Sequence, residues 1–176
     1  MAGTTPHTEL EPGFSAPGAA AEPWTTALDQ LRGAEIFWIS TTRPDGRPHV
    51  TPLIAVWHDA ALWFTTGAHE RKARNLAHNP ACTLTTGSNH MNDGLDIVLE
   101  GQAECIKDHA LLRAVADTYL AKYGEDWRFT VRDGVFEHEG LHESIRSLVF
   151  RLRPHRGLGF RRGAVFGQTR WLFPAP

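Results

Sequence analysis

The sequence predicts a mainly β domain, a small antiparallel β-barrel or sandwich with a few helices. Three observations point there. Short β-branched and aromatic stretches recur along the chain, separated by tight turns such as RPDGRP and HDAA. Only three segments carry helical periodicity. The hairpin connections are too short to join parallel strands, and neither a G-x-G-x-x-G run nor a Walker A run is present, which disfavours a doubly wound α/β fold.

Each element has its own local signature. Residues 1–23 are rich in Gly, Ala, Pro and Thr and predict a disordered tail, with the domain spanning residues 24–176. A short helix follows in WTTALDQLRGA, capped by Thr25 or Thr26, with Leu28 and Leu31 on one face. EIFWISTT and HVTPLIAVW flank the Asp45-Gly46 turn, so residues 35–57 form a β-hairpin. Pro52 marks an edge, a bulge or an interrupted ladder in its second strand. ALWFTT is a third strand, and HERKARNLAHNP a short helix stopped at Asn79-Pro80. ACTLTTG and LDIVLEGQAECI are two further strands around a Gly/Asn-rich loop. The run KDHALLRAVADTYLAKYG then places Leu111, Leu112, Val115, Tyr119, Leu120 and Tyr123 at helical spacing and ends at Gly124. EDWRFTVRDGVFEHEG reads as irregular, before strands return in SLVFRLRP, RGLGF and TRWLF.

The totals bound the function. A chain of 176 residues is about one domain with a real core. With 18 basic and 20 acidic residues the net charge is -2, which offers no general attraction to nucleic acid or an anionic membrane, so an anion site must be local. No apolar run approaches the roughly 20 residues that span a bilayer. Cys82 and Cys105 belong to no C-x-x-C pair and read as buried free thiols in a reducing compartment, so a cytoplasmic protein is expected.

HERKARNLAHNP begins with its cations where the helix dipole disfavours them, and Glu70 offsets only part of this. A bound anion would turn the repulsion into a site, fed by Thr65 and Thr66 at the preceding strand end with Arg71 and Lys72 beside them. A solvated basic helix face is the alternative. The late arginines, Arg151 and Arg153 among them, alternate with apolar residues as the wet face of a half-buried strand does. HEGLH, from His138 to His142, matches the H-E-x-x-H pattern, with His138 and His142 as ligands and Glu139 as base of a zinc hydrolase. That pattern needs a stable helix, and Gly140 opposes one, so no metal site is expected. No G-x-S-x-G elbow supports Ser/His/Asp hydrolysis, and no catalytic residue is assigned.

The order DGRPHVTPLIAVWHDAALWFTTGAHERKARNLAHNPACTLTTG, followed by DIVLEGQAECI and a helix, resembles the split β-barrel flavin-binding proteins related to pyridoxamine 5'-phosphate oxidase, including their deazaflavin-dependent relatives in actinobacteria. The resemblance implies a split β-barrel of the FMN-binding kind, a homodimer with two cofactor sites at its interface, and two-electron hydride transfer on a small organic substrate. It implies that Val50, Thr51, Pro52, Leu53 and Ile54 line the flavin ring and ribityl chain, that Thr65 and Thr66 lie near the phosphate, and that Arg71 and Lys72 ligate it. Asn75 shares their helix, and Trp171 resembles an aromatic contributed from the second subunit. FMN and the deazaflavin coenzyme F-420 stay open; the longer acidic tail of the latter would use Arg43, Arg47 or Arg74. Haem on the same barrel and a non-catalytic flavin or haem carrier are the alternatives. GQTRWLF lacks the Arg-x-His element that grips pyridoxal phosphate in the oxidase, so vitamin B6 oxidation is not expected.

Overall fold

In a computed structural model that describes residues 5–139 and 144–174, strand alternation and turn chemistry set the order of elements. These are β1 (His7–Leu10), a 3-10 turn (Pro12–Phe14), α1 (Trp24–Gly33), β2 (Phe37–Thr42), β3 (Pro48–Leu53), β4 (Ala55–His58), β5 (Ala61–Thr66) and α2 (Arg71–His78). They continue with β6 (Ala81–Thr86), β7 (Gly94–Ile106), α3 (His109–Tyr123), a second 3-10 turn (Glu125–Trp127), β8 (Thr130–Arg132), β9 (Val135–Glu139), β10 (Ser144–Arg162) and β11 (Gly167–Leu172). Every strand pairing is antiparallel.

The β2–β3 hairpin forms as its Asp-Gly turn requires, with Gly46 at φ 82° where a Cβ would be strained. Pro52 sits where its missing N–H does no harm, since β3 pairs only with β2 and is the edge of the sheet. The predicted second strand is in fact two, because the chain leaves β2 after Leu53 and pairs β4 with β5 instead.

The long strand β10 organises the barrel. One of its edges pairs with β7 from Val149 to Arg162, the other with β5 and then β11, and its first residues, Ser144 to Ser147, pair with β9. A register shift between Pro154 and Arg156 bends it, so the two strands expected there are one strand with a bulge. Inside the barrel Phe37, Ile39, Leu62, Phe64, Leu84, Ile97, Leu99, Leu152 and Trp171 form the main core, closed by α1 through Trp24 and Leu31. A second core lies under α3, where Leu112, Val115 and Tyr119 pack on Val56, Trp63 and Val149 and on Phe129 and Phe136. Helix α3 has the predicted apolar stripe, capped by Asp108, whose side chain accepts the Leu111 N–H at 2.9 Å, and ended at Gly124.

Several expectations are corrected. The opening segment is not a wholly disordered tail: β1 pairs with β11, and Glu9 and Glu11 bind Arg170 at 2.6 and 2.9 Å. Helix α1 starts at Trp24 behind Pro23, so Thr25 and Thr26 lie inside its first turn and neither caps it. The stretch expected to be irregular holds the β8–β9 hairpin, turning through Asp133 and Gly134 at φ 51° and 73°. Both cysteines are free, yet only Cys82 is buried; Cys105 is exposed. Burial pushes the Cys82 thiol up to about 12, which leaves it unreactive.

Candidate functional site

Beside the edge hairpin lies a cavity of about 370 Å³, within the range of small-molecule sites. Three parts of the chain line it. Ile36, Pro52, Leu53 and Ile54 come from the β2–β3 region, Thr65, Thr66, Glu70 and Lys72 from the β5–α2 junction, and Trp127, Phe129, His138 and Ser147 from the second 3-10 turn, the β8–β9 hairpin and β10. The walls are apolar and the polar groups gather at the β5–α2 junction.

The β5–α2 junction is built by a strand that ends in two threonines, a three-residue turn and a helix with an inward stripe. Helix α2 buries Lys72, Ala73, Asn75 and Leu76 and exposes Arg71 and Arg74. Only 10% of the Lys72 side chain is exposed, and its ammonium donates to Glu70. Glu70 also accepts the Gly67 N–H at 2.8 Å. Burial pushes the Glu70 carboxyl up, but the bonds from Lys72, Gly67 and Thr66 and the Lys72 charge outweigh it and hold the group below its ordinary value. The buried hydroxyl of Thr65 has no partner, nor has that of Thr51. A buried hydroxyl without a partner costs free energy, and a ligand oxygen at the cavity wall would relieve it for Thr65.

Behind the junction three cations act on one histidine. His49 is held below its usual pKa by burial and by the charges of Arg43, Lys72 and Arg71. It approaches Thr41 Oγ1 at 3.4 Å, and that oxygen accepts Asn75 Nδ2 at 2.9 Å. Asn75 is therefore fully buried as a tie between α2 and β2, with its Oδ1 unpartnered.

The predicted site residues separate into groups. Pro52, Leu53, Ile54, Thr65, Thr66 and Lys72 meet in the cavity. Arg71 is exposed and joins the basic cluster; Thr51 is half-buried in β3. Val50 points outward, 53% exposed, and forms with Ile36 and Trp38 an apolar outer face on the edge hairpin. Trp171 has no exposed surface: its ring packs on Trp24 at 5.5 Å and its Nε1 donates to Glu22 O at 3.0 Å. It belongs to its own core and has nothing to offer a second subunit. Of the arginines proposed for a longer tail, Arg47 is bound to Asp45 at 2.6 Å, Arg74 is exposed, and Arg43 faces the cluster.

His138 and Glu139 close strand β9, which is not the helix that a zinc pair at i and i+4 requires; His142 lies outside the described residues. No group of three metal-ligating side chains occurs among the described residues. The late arginines are matched across strands, Arg151 to Glu104 at 2.6 Å, Arg156 to Glu100 at 2.7 Å and Arg162 to Asp96 at 2.8 Å. A larger hollow of about 660 Å³ is lined mainly by charged residues, including Arg128 bound to Glu125 at 2.7 Å and Arg132 near Glu137 at 3.4 Å. Neither Trp127 nor Phe129 stands out in the sequence, and His138 does so only as a zinc ligand, yet all three line the cavity. The Asp133-Gly134 turn between two β-patterned triplets was the signal for the hairpin that carries His138.

The topology is that of a split β-barrel, and comparison with known proteins agrees. The family model described as pyridoxamine 5'-phosphate oxidase matches residues 25–159, and the chain belongs to that family. Among solved structures it is similar to a conserved hypothetical protein from Mycobacterium tuberculosis, with 16% identity and a TM-score of 0.63 over 87% of this chain and 89% of that one. A putative 5-nitroimidazole antibiotic resistance protein from Bacteroides thetaiotaomicron has 16% identity and a TM-score of 0.63, covering 94% and 93%. The heme storage protein of Vibrio cholerae has 18% identity and a TM-score of 0.56, covering 84% and 94%. No curated protein matches the sequence. Among the described residues no helix is long and apolar enough to cross a membrane.

Proposed function

We propose that this protein is an oxidoreductase whose cavity holds FMN or a deazaflavin, and that it transfers a hydride between that cofactor and a small organic substrate. One observation carries the proposal: a nearly buried lysine and a buried, unpartnered threonine hydroxyl line the same apolar cavity, with Arg43 and Arg71 near its basic end. Such an arrangement suits a ligand with an anionic end and a flat apolar body. Lys72 and Thr65 would hold the phosphate, with Thr66 and Arg71 assisting. Pro52, Leu53 and Ile54 would wall the ring system, and Trp127 and Phe129 would exclude water from its other side. The bound flavin supplies the redox chemistry, which fits the lack of an assigned acid/base constellation in the chain.

The exposed apolar face of Ile36, Trp38 and Val50 supports a homodimer, since a second copy laid there would cover it and close the cavity mouth. A cytoplasmic location goes with this reading. Titration with FMN and riboflavin, followed by flavin fluorescence, tests the phosphate anchor. FMN should bind at least tenfold more tightly; equal affinities, or none, would overturn it. Turnover of reduced cofactor with quinone, enone or nitro acceptors tests the enzyme, and silence despite tight binding would leave a carrier. A haem carrier is the second reading, favoured by the buried, unpartnered Nδ1 of His138 at the cavity wall.

A further inference from the structure

The cofactor site already contains an anion. Glu70 precedes α2 at its N-cap position, but its side chain caps nothing there. It turns back instead, and Gly67 N–H and Lys72 Nζ donate to its carboxylate, while the Thr66 hydroxyl donates to Gly67 O at 3.5 Å. One of those donors, Lys72, is the side chain to which the cofactor reading gives the phosphate. Gly67 belongs to the same cradle: a Cβ there would stand 3.3 Å from Glu70 Oε1 and crowd the carboxylate off the backbone N–H. The two partners differ in freedom. The Lys72 side chain is 10% exposed and fixed, whereas that of Glu70 is 51% exposed and can turn into water and be solvated there.

Resting on the cofactor reading above, we propose that Glu70 is a built-in competitor for the phosphate position: its carboxylate fills the cradle, and a ligand's phosphate binds by displacing it. The exchange favours a monoester because it carries about -1.5 to -2 charges at neutral pH and three acceptor oxygens, against one charge and two oxygens for the carboxylate. A phosphodiester brings a single charge and replaces like with like. A neutral alcohol cannot compete at all. The cost of moving Glu70 falls on every phosphate-bearing ligand and not on riboflavin, so Glu70 lowers the affinity for FMN, and the second charge of a monoester offsets that cost best. Arg71, next to Glu70 in the chain and exposed, adds positive charge at the same helix start.

The test is Glu70→Gln, with Glu70→Ser in parallel should the amide disturb the turn. Inorganic phosphate, methyl phosphate and dimethyl phosphate are titrated by NMR, and FMN and riboflavin by fluorescence. Inorganic phosphate and FMN should bind at least tenfold more tightly to the variants than to the parent, with riboflavin changed less than twofold. Methyl phosphate and dimethyl phosphate should both bind more tightly to the variants than to the parent, and the parent should prefer methyl phosphate. Unchanged phosphate and FMN affinity would overturn the proposal, and so would an equal gain for riboflavin, which would mean a merely wider cavity. Tighter inorganic phosphate with FMN bound by neither protein would uphold the displacement by phosphate and overturn the cofactor reading instead.

Discussion

Lys72→Met removes the one cation inside the cavity while keeping an unbranched apolar stem of similar reach. In the folded protein its side chain is nine-tenths buried and its ammonium is held by Glu70. When a phosphate takes the place of that carboxylate, the bond lost in the variant is charge-assisted and worth about 1.5–3 kcal/mol. At about 1.36 kcal/mol per decade, FMN should bind roughly 10- to 150-fold more weakly. Folding should change far less. The half-exposed Glu70 carboxylate can hydrate once its partner is gone, and an ion pair with one such member contributes about 0–1 kcal/mol. Flavin fluorescence quenching measures the affinity, and thermal unfolding confirms that the variant is intact. Arg71→Ala should weaken FMN by less, since its side chain is exposed. A folded Lys72→Met protein that binds FMN within twofold of the parent would refute the reasoning, and so would an unaffected double variant.

Other outcomes follow from the same geometry. Gly159→Ala drives a Cβ to 2.3 Å from the fully buried Trp171 ring, so the core must shift at a cost of about 1–3 kcal/mol, read as a fall in Tm of several degrees. An unchanged Tm would mean that Trp171 is free to move. His49 should titrate higher by NMR once inorganic phosphate or FMN is added, because the added anion offsets Arg43, Lys72 and Arg71; an unmoved His49 would place the anion elsewhere. Burial lowers Lys122 to about 8 against an opposing pull from Glu35, while its ordinary value is 10.5. Between those values the unfolded chain keeps a proton that the folded one has released, so stability gains with pH from this residue. Burial raises Tyr119 and Tyr123, the latter to about 12, so above pH 10 the unfolded chain loses its protons first and stability falls. Urea unfolding across this range should show the rise and then the fall, and Lys122→Met should abolish the rise.

Local chemistry made much of the fold legible. The Asp45-Gly46 turn, the stripe of α3 and the alternation of β7 each declare themselves within a dozen residues. Thr66 and Lys72 could be paired in advance because strand end and helix start are neighbours in sequence. Long-range placement could not be read. The four residues of β1 sit in a stretch of disorder-like composition and gain order only from β11, some 160 residues away. An aromatic in a late strand looks the same whether it faces the barrel interior or a partner, so Trp171 was placed on the wrong side. Glu70 was seen as a partial offset to the helix dipole. Its role as the anion within the cradle depends on a turn back to Gly67 that spacing does not reveal.

The most direct measurement is the visible spectrum of the protein as purified, with mass spectrometry of whatever denaturation releases. The expected result is a flavin spectrum and the mass of FMN, or a deazaflavin spectrum and mass. A haem spectrum, or a colourless protein that stays colourless after incubation with FMN and gel filtration, would contradict a flavin anchored by Lys72 and the threonines of β5.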